Sequence, residues 1–278
     1  MAEIVSIQGV THNPLFWRTL PTAEPGSELA AIRDRFDVFA DRLEAADPDV
    51  VLVVGTDHLT QLSTDNMPAF LVGKQRSFSA IFWNETREFG IPQRSYEGHV
   101  GLAEACIEGA LDRHIDVAYS NELRLDHACV VPLEYLLRGS GVPVVPILTN
   151  CICPPLPRAA RFYEVGARLR EAIESTPHVG RVAIVLSGHL SVEIGGPRQF
   201  RGAPSPGFDA EVTDLIAAGK TAELLELCTF DNLRRAGNVT HQFLNFLIGL
   251  GMTGGGPATT AVQLPSRFTA TPFYEWEV

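Results

Sequence analysis

No apolar run in this chain exceeds the length of a strand. The longest, around Val50–Val54 and Val142–Leu148, fall far short of the roughly 20 residues a membrane helix needs. Cysteine is scarce: the five residues Cys106, Cys129, Cys151, Cys153 and Cys228 form no CxxC pair. Cys151 and Cys153, one residue apart, supply too few ligands for a structural zinc site. Cations are in deficit, with Lys+Arg 22 against Asp+Glu 33, a net charge of −11 and a pI near 5.2. That balance argues against nucleic acid or an anionic membrane as the main partner, because both select for a basic face. It leaves a small anionic ligand open, which answers to a local site. MAEIVSIQGV carries Glu3 where a secretory signal wants positive charge. The expectation is therefore a cytoplasmic protein with reduced thiols and no membrane association. Catalytic signatures are missing as well. There is no P-loop, no GxGxxG and no HExxH, and Ser187–Gly188 is preceded by Val185 rather than the glycine of a GxSxG elbow. Gly254–Gly256 reads as a flexible turn.

The chain has 278 residues, 45% of them hydrophobic, enough to bury roughly three quarters of its unfolded surface. No repeat, low-complexity tract or linker divides it, so residues 1–278 are expected to form a single domain. Strand-length apolar runs alternate with segments of helical period. Glu3–Val10 reads as a strand. Ser27 is placed to cap a helix whose Leu29, Ile32, Phe36, Phe39 and Leu43 recur at steps of three and four, and Pro48 ends it. Val50–Val54 is a continuous β-branched run, as expected of a strand covered on both faces. Gly98–Arg113 has a helical pattern, Asp116–Ser120 and Val142–Leu148 read as strands, and Pro154–Pro157 as a loop. Arg158–Ser175 predicts a long amphipathic helix and Arg181–Ser187 a buried strand. Phe208 to about Leu250 is helical with breaks near Gly219 and Gly237, and Ala258–Leu264 is a last strand. Strands separated by helices predict the α/β class, with a largely parallel sheet and helices on both sides.

Ligands of such folds bind beyond the carboxyl ends of the strands. Three of the eight histidines fall there: His12 after the first strand, His58 after Val50–Val54 and His189 after Arg181–Ser187. Imidazole is the commonest transition-metal ligand and the usual general base near neutral pH. Two histidines and one oxygen donor on one face of an ion leave positions for substrate and oxygen, the arrangement of non-heme iron oxygenases. A metal site is the chemistry these residues favour.

The chain resembles the class III extradiol ring-cleaving dioxygenases, the group that includes the large subunit of protocatechuate 4,5-dioxygenase. The likeness runs through GTDHLTQLSTDNMPAFLVG (Gly55–Gly73), GIPQRSYEGHVGLAEA (Gly90–Ala105) and LRLDHACVVPLEYL (Leu123–Leu136). It continues in the proline loop and its helix, then in GGPRQF (Gly195–Phe200), FDAEVTDLIAAG (Phe208–Gly219) and AGNVTHQFLNF (Ala236–Phe246). The resemblance implies an α/β/α sandwich around a largely parallel or mixed central sheet and a mononuclear Fe(II) site, another divalent metal being possible. Its substrates are an aromatic diol or aminophenol and O2. It further implies a homo-oligomer, with or without a small partner subunit. His12, in THNPLF, matches the first metal histidine of the family, and His58 the second. His127, in LDHACVVP, matches a histidine that binds or orients substrate.

Two departures stand out. The family pattern AGNGGHE, whose glutamate completes the metal triad, is here AGNVTHQ, which places Gln242 in that position. An amide cancels none of the charge of Fe(II), so Gln242 is expected to be a weak ligand or a group behind the ligands. Inward rotation of His241, or inward movement of Glu193, are the other ways to complete the site. His241 points about 100° away from Gln242 on a helix. The family's acid–base histidine, in GGLSH, is here Val192 in SGHLSV, with His189 three residues earlier. His189 is the candidate replacement in proton transfer beside His127. Asp57 is a candidate acceptor that orients a neighbour, and Arg198 and Arg201 read first as solvated loop arginines, with an anionic substituent on an aromatic substrate as the alternative partner. His99, His114 and His178 read as surface or packing residues. Loss of two site residues also leaves open a non-catalytic or regulatory subunit, or an oxygen-independent hydrolase or lyase on the same scaffold.

Overall fold

Ten strands and ten α-helices make up the computed structural model, which describes residues 1–278. The strands are β1 (Glu3–Thr11), β2 (Val50–Thr56), β3 (Phe70–Gly73), β4 (Ser77–Ala80), β5 (Arg94–Glu97), β6 (Ala118–Ser120), β7 (Val144–Thr149), β8 (Arg181–Gly188), β9 (Ala258–Leu264) and β10 (Thr271–Trp276). The helices are α1 (Phe16–Thr19), α2 (Glu28–Ala45), α3 (Trp83–Phe89), α4 (Val100–Asp112), α5 (His127–Leu137) and α6 (Ala159–Ser175). After them come α7 (Pro206–Ala217), α8 (Thr221–Leu227), α9 (Phe230–Ala236) and α10 (Asn245–Met252). A 3-10 turn, Thr240–Leu244, runs directly into α10.

Eight strands form one mixed sheet in the order β6-β3-β7-β2-β8-β1-β10-β9. Its centre, β7-β2-β8-β1, is parallel throughout, whereas β3 against β7, β10 against β1 and β9 against β10 are antiparallel. The sheet separates two apolar cores. Along β2, Val50, Leu52 and Val54 face one core while Val51 and Val53 face the other. β8 divides in the same way, with Val182, Ile184 and Leu186 on one side and Ala183 and Val185 on the other. Alternate side chains leave a strand on opposite faces, so two apolar faces require an unbroken apolar run, which is what these strands have. Helices α4, α6 and α10 cover the first face, and α2 and α5 the second. This is the α/β/α sandwich with a mixed sheet that the sequence predicts.

Most elements lie where their patterns place them. Ser27 caps α2, its hydroxyl accepting from Ala30 N at 3.1 Å. The helical stretch after Phe208 breaks at Gly219 and Gly237, and additionally at Cys228–Thr229. β6 starts at Ala118 rather than Asp116, and β7 runs from Val144 to Thr149. Strands β3, β4, β5 and β10 and helix α3 carry no clean sequence signal; they are four to seven residues long.

Helices α6 and α10 pack with almost no space between backbones. A Cβ at Gly166 would collide with the carbonyl of Ile248, and one at Gly251 with the carbonyl of Tyr163. Because α10 continues the turn that carries Gln242, this contact also sets the position of that residue. Gly166→Val should therefore destabilise the fold by about 1–3 kcal/mol through overpacking, seen as a lowered denaturant midpoint with an unchanged slope.

Candidate metal centre

β2, β8 and β1 are neighbours and parallel, so their carboxyl ends open at one edge of the sheet. His189 and His12 follow β8 and β1 directly, and His58 comes two residues after β2. His127 joins them as the first residue of α5. The ring centroid of His12 lies 5.3 Å from that of His58, 5.7 Å from His127 and 4.0 Å from His189, and His58 stacks on His127 at 4.2 Å. One ligand atom from each of His12, His58 and His127 falls within 4.8 Å of the others. Gln242 completes the group, its Nε2 3.0 Å from His58 Nε2.

Each imidazole is gripped at Nδ1. His58 meets Asp126 Oδ2 at 2.9 Å and His127 meets Glu85 Oε1 at 2.6 Å. An ionised carboxylate only accepts, so in the neutral form both rings carry their proton on Nδ1 and present a bare Nε2. His12 Nδ1 lies 2.7 Å from Ser187 Oγ, whose single proton is donated to Ala128 O at 2.5 Å. The hydroxyl must therefore accept from His12, which again leaves the Nε2 lone pair free. His189 Nδ1 pairs with Thr11 Oγ1 at 2.9 Å.

The anchors are themselves built in. Asp126 caps α5 by accepting from Ala128 N at 2.8 Å and also accepts from His58 N at 2.8 Å. Glu85 accepts from Phe82 N and His127 N at 2.9 Å each. Asn245 stitches the strand ends, donating to Ser187 O at 2.7 Å and accepting from Thr149 Oγ1 at 2.6 Å. A side chain at position 188 would lie 2.6 Å from the Gln242 carbonyl; glycine there lets the 3-10 turn close over β8.

Electrostatics follow from burial. Desolvation, followed by the neighbouring imidazoles His189, His58 and His127, lowers His12 well below the usual histidine range. Burial, then His58 and His127, pushes His189 down to about 3. Burial by itself would lower His58, but the carboxylates around it, Asp126 foremost with Asp57 and Glu85, together outweigh it and leave His58 raised. Asp126 is correspondingly lowered, because its pairing with His58 overrides desolvation. His12 and His189 are thus neutral at ordinary pH, the form in which imidazole ligates.

A divalent metal fits this donor set. His12 Nε2 and Gln242 Oε1 are buried polar atoms without any hydrogen-bond partner, an expensive arrangement for a folded protein unless something else meets them. The three anchored imidazoles turn nitrogen lone pairs the same way. His241 does not share in this: it bonds Phe230 O at 3.2 Å and stacks beside the Phe230 ring. Glu193 is held by Arg198, with Nη2 2.5 Å and Nε 2.7 Å from Oε2. Asp57 folds the turn after His58 by accepting from Thr60, Gln61 and Leu62, while the carboxylate on the His58 ring is Asp126. His99 caps α4 through Leu102 N. Asp126, Glu85 and Ser187 carried no signal of their own in the sequence. Asp126 is readable in retrospect, since LDH ahead of an apolar run has the form of a helix cap.

The chain from residue 7 to 271 matches the family model described as "Catalytic LigB subunit of aromatic ring-opening dioxygenase". A Pseudomonas putida protein named 2,3-dihydroxyphenylpropionate/2,3-dihydroxicinnamic acid 1,2-dioxygenase 2 is 30% identical over 158 residues, 56% of this chain and 47% of that protein. An Azotobacter vinelandii protein of the same designation is 24% identical over 316 positions, covering 98% of this chain and 96% of its own. The match to the Pseudomonas putida protein thus spans about half the length of that relative. The fold is shared with an uncharacterized Escherichia coli protein, JW3007, at a TM-score of 0.62 and 15% identity, over 98% of this chain and 100% of that one. No helix is long and apolar enough to cross a membrane.

Asp126→Asn removes the charge behind His58 and should weaken divalent-metal affinity by about 10–100-fold, measured by anaerobic Fe(II) titration of chelator-treated protein. A pH effect arises from His189. Its folded pKa, about 3, lies below the unfolded value near 6.5. As pH falls below 6.5 the unfolded chain takes up a proton that the folded ring refuses, so stability is lost on acidification and restored above 6.5. In chelator-treated protein, His189→Gln should flatten the decline between pH 6.5 and 5 by up to about 1.4 kcal/mol per pH unit. Denaturant midpoints across that range measure it.

Proposed function

The chain belongs to the family of catalytic subunits of aromatic ring-opening dioxygenases, and on that footing we propose that it opens an electron-rich aromatic ring, a diol or aminophenol, with O2 at a non-heme ferrous site. The observation that carries this reading is the pair of orphaned buried donors, His12 Nε2 and Gln242 Oε1, beside the Nε2 atoms of His58 and His127. His12 and His58 would hold the ion, with Gln242 Oε1 in the third place. The ion, when bound, supplies Lewis acidity toward the ring oxygens and redox chemistry toward O2.

The remaining work falls to the chain's own side chains. His127, backed by Glu85, accepts a ring hydroxyl proton at Nε2, and the carboxylate 2.6 Å behind it stabilises the imidazolium that forms. His127 also lines the open cavity over the site, as a residue that orients a ring must. Val192 lines the same cavity and can move no proton. His189, three residues earlier on the same turn, lines the cavity and takes the second proton-transfer role by position; with its pKa held down to about 3 it holds a transferred proton only briefly and passes it on. The carboxylates nearest the site, Asp126 and Glu85, stand behind imidazoles. Held by His12, His58 and the neutral Gln242, an ion would keep more of its charge toward substrate and be bound less tightly than by a ligating glutamate.

The test is oxygen uptake by chelator-treated protein reloaded anaerobically with Fe(II) and offered a panel of catechols and aminophenols. One O2 consumed per ring opened, lost on chelation and in His12→Ala, is the expected result. Gln242→Glu should tighten Fe(II) binding by on the order of tenfold through the added charge. Turnover without O2 would move the protein to the hydrolases or lyases, and inertness at full iron occupancy to the non-catalytic subunits.

A further inference from the structure

A cavity of about 350 Å³ rises from the imidazole floor to solvent. Above the imidazoles its walls are largely apolar, with Phe89, Val192, Ile194, Phe200, Val239 and Phe268, interrupted by the polar side chains of Asn13, Glu193, Gln199 and Thr269. Two of these are unusual for a surface. Ile194 is 56% exposed and Phe200 48% exposed, both at the cavity mouth, on the segment between β8 and α7. Phe200 also adopts φ +62°, a left-handed conformation that large side chains rarely take and that clusters at functional sites. That backbone puts its ring edge-on to Phe268, 5.4 Å between centroids. A strained residue that presents an aromatic wall to an open cavity points to a ligand that covers it.

Charge in the cavity points the same way. No lysine or arginine lines it, and its one carboxylate is Glu193. Arg198, the nearest candidate for an anionic substituent, spends its guanidinium on Glu193 and on the carbonyls of Pro204 and Arg235. A carboxylate entering there would lose water and meet no counter-ion: the one charged side chain is another carboxylate, and Asn13, Gln199 and Thr269 offer only neutral dipoles. An alkyl or aryl group there would exchange water for Phe200, Phe268 and Ile194.

We infer that this cavity selects ring diols carrying an uncharged apolar substituent and discriminates against carboxylated ones, with Phe200 and Ile194 as the specificity-determining wall. The inference rests on the floor being a ring-diol site, as the proposed function has it. It sets this chain apart from relatives whose names specify dihydroxyphenylpropionate.

Anaerobic calorimetric titration of the iron-loaded protein with catechol, propylcatechol and dihydroxyphenylpropionate tests it. Propylcatechol should bind on the order of tenfold or more tighter than its carboxylated counterpart. In Phe200→Ala, a change in an exposed loop that leaves both cores intact, the propylcatechol-to-catechol affinity ratio should fall by about fivefold or more. Glu193→Gln, which removes the carboxylate and releases Arg198, should raise dihydroxyphenylpropionate affinity several-fold. Equal or tighter binding of the carboxylated diol by the parent protein, or an unchanged affinity ratio in Phe200→Ala, overturns the inference and leaves the dioxygenase reading standing. Selective binding without O2 uptake overturns that reading and upholds the inference. Failure of all three diols to bind overturns the inference, and the aminophenols of the oxygen-uptake panel then decide the dioxygenase reading.

Discussion

A neutral imidazole has one proton and one lone pair, and it can serve a metal only if something else claims the proton. Ser187, Asp126 and Glu85 do this for His12, His58 and His127, in each case at Nδ1. The three Nε2 lone pairs are left to converge. For His12 the assignment is forced by proton count, because the Ser187 hydroxyl already donates to Ala128 O. The arrangement depends in turn on the sheet. Only adjacent parallel strands end at a common edge, and β2, β8 and β1 are the strands that carry or precede His58, His189 and His12. Asp126 binds this edge to α5 by holding a helix N-terminus, a backbone amide and an imidazole with one carboxylate.

Gathering four imidazoles in a buried space is tolerable only while most are neutral. The depressed pKa values of His12 and His189 express that constraint, and the raised value of His58 shows the one place where a carboxylate relaxes it. Negative charge is thus kept one side chain further from the centre than a ligating carboxylate would place it. Second partners of this kind orient ligands and raise their basicity, so on the proposed reading Asp126, behind His58, would offset part of what the amide at position 242 does not supply.

The central strands and the three strand-end histidines were legible because their signals are local. Continuous apolar runs such as Val50–Val54 must be covered on both faces, and a residue just past the end of a parallel strand must sit at the carboxyl edge of the sheet. The convergence of His12 and His58, 46 residues apart in the chain, needed only the class of fold. Short edge strands were not legible, since four residues such as Ser77–Ala80 give too little alternation to read. The anchors were illegible for a different reason. Glu85 lies 42 residues from His127 and Ser187 lies 175 from His12. Such pairings belong to the packing of β8, α3 and α5, which no local pattern encodes. The apolar mouth was hidden likewise: Ile194 and Phe200 sit in a loop whose sequence, with Gly195, Gly196 and Pro197, reads only as irregular.

Gln242 brings these threads to one atom pair. Its amide N–H is the donor in the 3.0 Å contact with His58 Nε2, because Asp126 has claimed the proton of that ring. A lone pair serves one partner at a time, so an ion can take His58 only when the amide lets go. The same amide leaves Oε1 buried and unpartnered. On the proposed reading, release of His58 and presentation of an oxygen donor would both follow from turning the one Gln242 side chain. A glutamate in this place would have no N–H to compete with and would not need that exchange. A cation entering this centre would, on the same reading, displace that hydrogen bond, with a neighbouring oxygen beside it.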